Sequence, residues 1–364
     1  NDPRPRRQTV VEQLADLGIY AAVEQVVTSG WATACHLRRT GLPTASAVGS
    51  DGLRAELRAR GIELTEEDPD AVVVGADERT SYRDIRRATR HIDRGAQFVG
   101  TNPDGAFPTP EGPAPGAGAI VRAVEAASGA SPTVIGKPEP LMFEMARETA
   151  SDADRAVVVG DNVDTDILGA HRAGLTGILV SGGEPARETG PDFRRPDASI
   201  ATLADLFTRT VEPWSPPGHE WPDRIRPGVA AVVLDGGGDV LLVKRSDREQ
   251  WALPTGTVER CETLTGAIAR EVREEAGLEI EVDRLTGIYS DPQRQIFAYP
   301  SGEAVHFVTS CFRCRVAGGE VRPDEDEAVD AAFFDAAQLP SDLLPMQPRW
   351  ISDALATSDR PAVR

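Results

Sequence analysis

Glu271, Glu274 and Glu275 fall at positions i, i+3 and i+4 of a segment with helical periodicity, so their side chains share one face. Three carboxylates in that arrangement repel one another. A solvent-facing helix gains by alternating its charges, so the cluster costs free energy unless a cation binds it. Hard oxygen donors at this spacing suit Mg2+ or Mn2+, and such an ion would bridge to substrate phosphates. The residues around the cluster follow a fixed pattern. Gly256 is followed after five residues by Glu262, and after seven more by the run Arg270-Glu271-Val272-Arg273-Glu274-Glu275-Ala276-Gly277-Leu278. With each residue type at about 7% of usage, seven fixed matches arise by chance about once in 10⁸ starting positions, so the signal is specific. Gly277 stands where a glycine C-cap would end the helix.

This stretch resembles the Nudix hydrolase family, from about Arg226 to Ala354. Trp251-Ala252-Leu253-Pro254 before the pattern and Phe333-Phe334 after it add to the likeness. The resemblance implies an α/β/α sandwich with a mixed sheet over 226–353 and Mg2+-dependent cleavage of a phosphoanhydride. By position it makes Glu271 and Glu275 metal ligands, with Glu274 assisting at the metal or its water and the backbone carbonyl of Thr255 as a further ligand. Glu262 and Arg270 would tie loop to helix as a structural ion pair. Thr255 stands where the family usually has glycine, and a positive φ there would be strained. Many family members draw another acid from a later loop, for which Glu325 and Glu327 are the candidates; a solvated acidic run reads equally simply. Lys244 and Arg245, at a strand end, either meet substrate phosphate or are solvated. Tyr289 and the Phe297–Tyr299 stretch either line a base pocket or belong to the core.

A second constellation lies upstream. Val157–Gly160 is an apolar strand ending in glycine, followed at once by Asp161 and then by Asp164 and Asp166. Ligands of parallel sheets sit at the carboxyl ends of strands, so an acid there is a candidate metal ligand. Gly136-Lys137-Pro138 follows another apolar run. Lys137 and Lys244 are the only lysines among 39 basic residues, so Lys137 marks a place where a compact ammonium is suited to phosphate or aspartate charge. Together these motifs resemble the haloacid-dehalogenase superfamily of phosphatases, in its NagD-like class with an α/β cap. Thr101-Asn102-Pro103-Asp104 resembles a segment at the end of that cap. The likeness covers about 1–210, with the cap at roughly 35–115. It implies a Rossmann-like parallel sheet, Mg2+, Lys137 in catalysis, Asp161 as metal ligand, Asp166 in support and a small phosphomonoester as substrate.

That family opens with a strand carrying Asp-x-Asp, whose first aspartate is the nucleophile, and a second strand ending in Ser or Thr. Here Asn1-Asp2-Pro3 matches the residues just after that Ser or Thr, so the nucleophile is missing from this sequence. The expectation is a fragment with about 30–50 residues upstream. The alternative is a degenerate domain kept for binding or packing.

The elements that must position these groups follow from periodicity. Helical patterns at Val10–Leu17 and Ile120–Ala127 alternate with apolar strands at Ala71–Val74, Ala156–Val159 and Gly177–Val180, which argues an α/β fold with parallel strands. A Pro- and Trp-rich stretch, 211–225, reads as a semi-rigid linker whose tryptophans pack on a domain surface. Beyond it come strands at Val229–Leu234 and Val240–Val243, a helix at Leu264–Ala276, and strands near Glu279–Val282 and Val305–Val316. The tail, 354–364, reads as disordered.

With 364 residues, two domains are expected. A net charge of −19 argues against nucleic acid as partner. No apolar run approaches the roughly 18 residues of a membrane helix. Cys35, Cys261, Cys311 and Cys314 are too scattered for a disulfide framework, and the isolated Cys311/Cys314 pair, on opposite faces of a strand, does not suit zinc. A cytoplasmic enzyme with a small phosphorylated or nucleotide substrate is expected. The sequence leaves open the oligomeric state. It also leaves a rival reading, a nucleotide-binding regulatory Nudix module controlling a phosphatase.

Overall fold

The computed structural model describes residues 1–150, 156–182, 192–208, 210–246, 250–299, 302–324, 328–358 and 360–364. They form two compact units, Asn1–Pro216 and Pro217–Arg364. No described helix is long and apolar enough to cross a membrane.

The first unit opens with α1 (Arg7–Asp16), α2 (Ser29–Arg39), β1 (Thr44–Val48), α3 (Asp51–Ala59), β2 (Glu63–Leu64) and β3 (Ala71–Val74). It continues through α4 (Tyr82–Asp93), β4 (Gln97–Gly100), β5 (Ala106–Thr109), β6 (Gly112–Pro115), α5 (Ala117–Ser128) and β7 (Thr133–Val134). Five of these strands make a parallel sheet in the order β2-β1-β3-β4-β7, while β5 and β6 form a separate hairpin. Strand β3 is apolar throughout because both of its faces are covered. Ala71 and Val73 pack with Leu37, Leu53 and Leu57 of α2 and α3, whereas Val72 and Val74 pack with Ala88, Ile92, Val121 and Val124 of α4 and α5. The sheet takes in β7, which pairs in parallel with β4.

There follow α6 (Leu141–Thr149), β8 (Val157–Gly160), α7 (Leu168–Arg172), β9 (Thr176–Val180) and β10 (Ala198–Ile200). Their three strands form a second parallel sheet, β10-β9-β8. The first part of the linker packs on this unit. The Trp214 indole stacks on the buried His171 ring at 3.6 Å, and the Trp214 backbone N–H donates to the Thr176 hydroxyl at 2.9 Å.

The second unit contains β11 (Arg224–Leu234), β12 (Val240–Arg245), β13 (Trp251–Ala252), β14 (Thr255–Thr257), α8 (Leu264–Ala276) and β15 (Leu278–Tyr289). It ends with α9 (Pro292–Gln295), β16 (Ile296–Ala298), β17 (Ala304–Gly319), β18 (Ala328–Phe334), α10 (Gln347–Leu355) and β19 (Ala362–Val363). The sheet is mixed: β11 runs parallel to β17, which runs antiparallel to β15. Period-two alternation along β11 sends Val229, Ala231 and Val233 toward α8, and Ala230, Val232 and Leu234 toward α10. The result is the expected α/β/α sandwich.

The tail departs from expectation. Instead of being disordered, β19 adds to β15 as a parallel strand, and the Arg364 guanidinium holds Asp353 of α10 at 3.1 Å. Pairing with an exposed sheet edge satisfies a short polar segment whose composition carries no strand signal.

Candidate active sites

In the second unit, helix α8 is defined at both ends. The Thr263 hydroxyl accepts from the Gly266 N–H at its start, and Gly277 closes it in the left-handed conformation, φ 71°. Along it, Glu271 and Glu275 are buried, at 8% and 6% exposure, while the Glu274 side chain is 54% exposed. The two buried carboxylates face β14. The Thr255 N–H donates to Glu275 Oε2 at 3.2 Å. Gly256 lies against Glu271 so closely that a Cβ there would sit 1.8 Å from Glu271 Oε1. The glycine is thus required by the approach of a carboxylate. Thr255 lies in extended β14 and is not among the positive-φ residues, so the strain anticipated from its replacing glycine does not arise.

Arg270 organises the loop. Its guanidinium donates twice to the Glu262 carboxylate, at 3.0 and 3.1 Å, and once to the Thr257 carbonyl at 3.1 Å. It also donates to Glu271 at 2.9 Å and Glu274 at 3.0 Å. The hydrogen bond from Arg270 holds the Glu262 carboxyl below its ordinary range. Sequence reasoning had Arg270 serving Glu262 alone. The structure has it spanning the loop and two members of the carboxylate cluster.

The donors fit a hard divalent cation: three carboxylates lie on one helix face, two of them withdrawn from water. Among the described residues, no three acidic, imidazole or thiol groups already converge into a metal cage. Arg270 draws Glu271 and Glu274 toward itself, and Mg2+ characteristically keeps waters instead of filling its shell from protein. Glu271, Glu274 and Glu275 line a cavity of about 630 Å³, shared with Arg245, Phe297 and Tyr299. Lys244 pairs within the sheet, opposite Trp251 and Asp330. Tyr289 belongs to the core: it stacks on Trp350 at 4.9 Å and donates to Asp353 at 2.9 Å. Cys311 and Cys314 are buried on opposite faces, and burial pushes each thiol up to about 12. Glu325 and Glu327 lie outside the described residues; their neighbour Asp324 lines the cavity.

In the first unit, Lys137 Nζ meets Asp166 Oδ1 at 2.5 Å. Asp166 is 6% exposed, and its other oxygen accepts from the Asn162 N–H at 3.2 Å. It sits on a wide, π-type helical turn, Val163–Ile167, and presses against Gly160, where a Cβ would lie 2.3 Å from the Asp166 Cβ. Asp161, at the end of β8, is exposed and has no hydrogen bond or ion pair among the described residues. The structure therefore brings Lys137 to Asp166 and leaves Asp161 facing solvent. Sequence reasoning missed the polar group behind Lys137. The Asn1 side chain accepts from the Lys137 N–H at 2.9 Å and donates to Asp104 Oδ2 at 2.6 Å, while the Asn102 amide donates to the Asn1 carbonyl at 2.6 Å. Burial raises the Asp104 carboxyl above its ordinary range, against the Asn1 hydrogen bond. The Thr101–Asp104 motif was the available signal, but nothing local tied it to Lys137.

The fold and these acidic, phosphate-suited sites define a hydrolase. Residues 224–354 match the NUDIX domain model, and residues 134–206 match a HAD-hydrolase-like model. Over 208 residues the chain is 34% identical to the 5'-nucleotidase YutF of Bacillus subtilis, an alignment covering 56% of this chain and 81% of that one. It is 35% identical over 217 residues to an acid sugar phosphatase of Staphylococcus aureus, covering 58% and 77%. Among solved structures, glycerol phosphate phosphatase of Mycobacterium tuberculosis in complex with magnesium superposes with a TM-score of 0.53 at 36% identity, covering 56% of this chain and 64% of that one. The chain belongs to the haloacid-dehalogenase-like phosphatases through its N-terminal half and carries a Nudix domain after it.

Proposed function

We propose that the second unit is a Mg2+-dependent pyrophosphohydrolase acting on a nucleoside diphosphate linked to another group. The observation that carries this reading is the pair of buried carboxylates, Glu271 and Glu275, facing a cavity of nucleotide size. Bound Mg2+ would polarise the phosphoryl oxygens and acidify a water. Glu271 and Glu275 would hold the ion, and Gly256 leaves the space in which Glu271 stands. Arg270 fixes the loop through Glu262 and the Thr257 carbonyl, and Arg245 supplies positive charge at the cavity wall for phosphate. A pure nucleotide-binding regulator has no use for two carboxylates withdrawn from water, which disfavours the regulatory alternative.

The first unit is proposed to receive a small phosphomonoester at Lys137 and Asp166, as its phosphatase relatives suggest. In the family it resembles, turnover at such a site runs through a nucleophilic aspartate on an Asp-x-Asp strand, which Lys137 and Asp166 would serve. Joined to a complete phosphatase, the two units would act in sequence, one cutting the anhydride and the other removing phosphate from a product. The test is a turnover screen with Mg2+ over dinucleoside polyphosphates, nucleotide sugars, ADP-ribose and nucleoside triphosphates. Release of a nucleoside monophosphate that Glu275→Gln abolishes supports the reading; turnover unchanged in that variant refutes it.

A further inference from the structure

The same cavity is lined away from the carboxylates by two glutamines that the hydrolytic chemistry does not use. Gln295, at the end of α9, and Gln347, at the start of α10, are each 1% exposed, yet both line the cavity. Each has its carbonyl end occupied by a protein donor. The Leu253 N–H donates to Gln347 Oε1 at 2.7 Å, and a backbone N–H can only donate, so the atom facing it is the oxygen. The Thr309 hydroxyl donates to Gln295 Oε1 at 3.1 Å. Among the described residues no protein acceptor meets either amide nitrogen. Neither nitrogen is among the fully buried side-chain atoms left without a partner, so both NH₂ groups reach the cavity as donors, where a ligand acceptor would take the place of water. Phe297 and Phe307, packed edge to face with centroids 5.8 Å apart, and Trp350 line the same space. Their faces suit a flat ring.

We infer that Gln295 and Gln347 read the base of the substrate, and that the base is one presenting acceptors along one edge, as guanine does with O6 and N7, in preference to adenine. Adenine pairs N7 with an N6 amino donor, and a carboxamide matches it by offering its oxygen as well as its nitrogen. Here both oxygens are already engaged, so an adenine amino group would face NH₂. This inference rests on the hydrolase reading only for the identity of the cavity as the substrate site, and its test separates the two.

Binding of GMP and AMP to the full chain is measured by calorimetry without metal, alongside Mg2+-dependent kcat/KM for GDP-linked and ADP-linked sugars. GMP should bind about 10- to 100-fold more tightly than AMP. Gln347→Glu keeps an oxygen for the Leu253 N–H but replaces the donor by an acceptor, so it should erase or reverse that ratio. AMP binding equal to or tighter than GMP, no binding of either, or a ratio unmoved by both Gln347→Glu and Gln295→Glu overturns the inference. Turnover that favours ADP-linked sugars overturns it and leaves the hydrolase reading intact. Selective GMP binding with no turnover of any substrate supports it and sinks the hydrolase reading instead.

Discussion

Gly256→Ala separates positioning from folding. The glycine lies in extended β14 and is not a positive-φ residue, so the backbone accepts alanine there. The added methyl would lie 1.8 Å from Glu271 Oε1 and 1.9 Å from its carboxyl carbon. To recover an ordinary contact of 3.4 Å the carboxylate must retreat by about 1.6 Å. Stability should change little. The hydrogen bond from Arg270 to Glu271 weakens, while the alanine lowers the entropy of the unfolded chain, an effect of about 0.4–1 kcal/mol in favour of folding. Activity should change a great deal, because misplacing a reacting or ligating group by about 1 Å costs on the order of 100-fold, equivalent to about 2.8 kcal/mol. The assay is kcat/KM at saturating Mg2+ on the substrate turned over best, with the melting temperature and a Mn2+ titration measured in parallel. The expected result is a loss of at least about 100-fold and weakened Mn2+ binding at a melting temperature near that of the parent. Activity within a few-fold of the parent would mean that Glu271 is not held against the loop as described. A collapse in melting temperature would mean that the loop, not the side chain, gave way.

Glu275→Gln keeps an oxygen for the Thr255 N–H and removes one charge from the cluster, so calorimetry should show an apo protein at least as stable as the parent, with metal-dependent hydrolysis lost. Arg270→Ala should lower the melting temperature as well as activity, and Arg270→Lys should not restore either, because an ammonium cannot span Glu262, the Thr257 carbonyl, Glu271 and Glu274 together; full thermal stability in the alanine variant would refute the structural role. For Asp353, burial pushes the carboxyl up, but hydrogen bonds from Arg364 and Tyr289 outweigh it and leave it below its ordinary range. A carboxyl depressed in the folded state stabilises above its unfolded pKa, about 3.9, and that contribution is lost as pH falls through the folded value. Arg364→Ala should therefore lower the melting temperature at pH 6 and do so less at pH 3; an equal effect at both would show that the ion pair does not dock the tail. In the first unit, the chain as given should not cleave p-nitrophenyl phosphate, whereas a version preceded by a strand ending in Asp-x-Asp-Gly and a second ending in Ser or Thr should, with Asp161→Asn and Lys137→Ala each removing the activity. Cleavage by the chain as given would refute the need for that aspartate.

Helix geometry is local, so spacing alone placed Glu271, Glu274 and Glu275 on one face of α8 and Gly277 at its end. A short apolar run likewise marked Val229–Leu234 as a strand, and strand periodicity put Cys311 and Cys314 on opposite faces. What the sequence left dark depends on chain segments far apart in number. Gly256 matters because Glu271 arrives from another element, and Arg270 reaches past Glu262 to two further carboxylates. Lys137 is backed by Asn1 and, through it, by Asn102 and Asp104, drawn from two segments far from it in the chain. Gln295 and Gln347 become a pair only because α9 and α10 converge on one cavity. The tail is ordered by an edge of β15 that its own composition does not announce. Side-chain periodicity and capping are set by backbone geometry within a few residues and can be read from the chain. Close approach, burial of an amide and sheet-edge pairing are set by which surfaces meet, and only tertiary packing decides that.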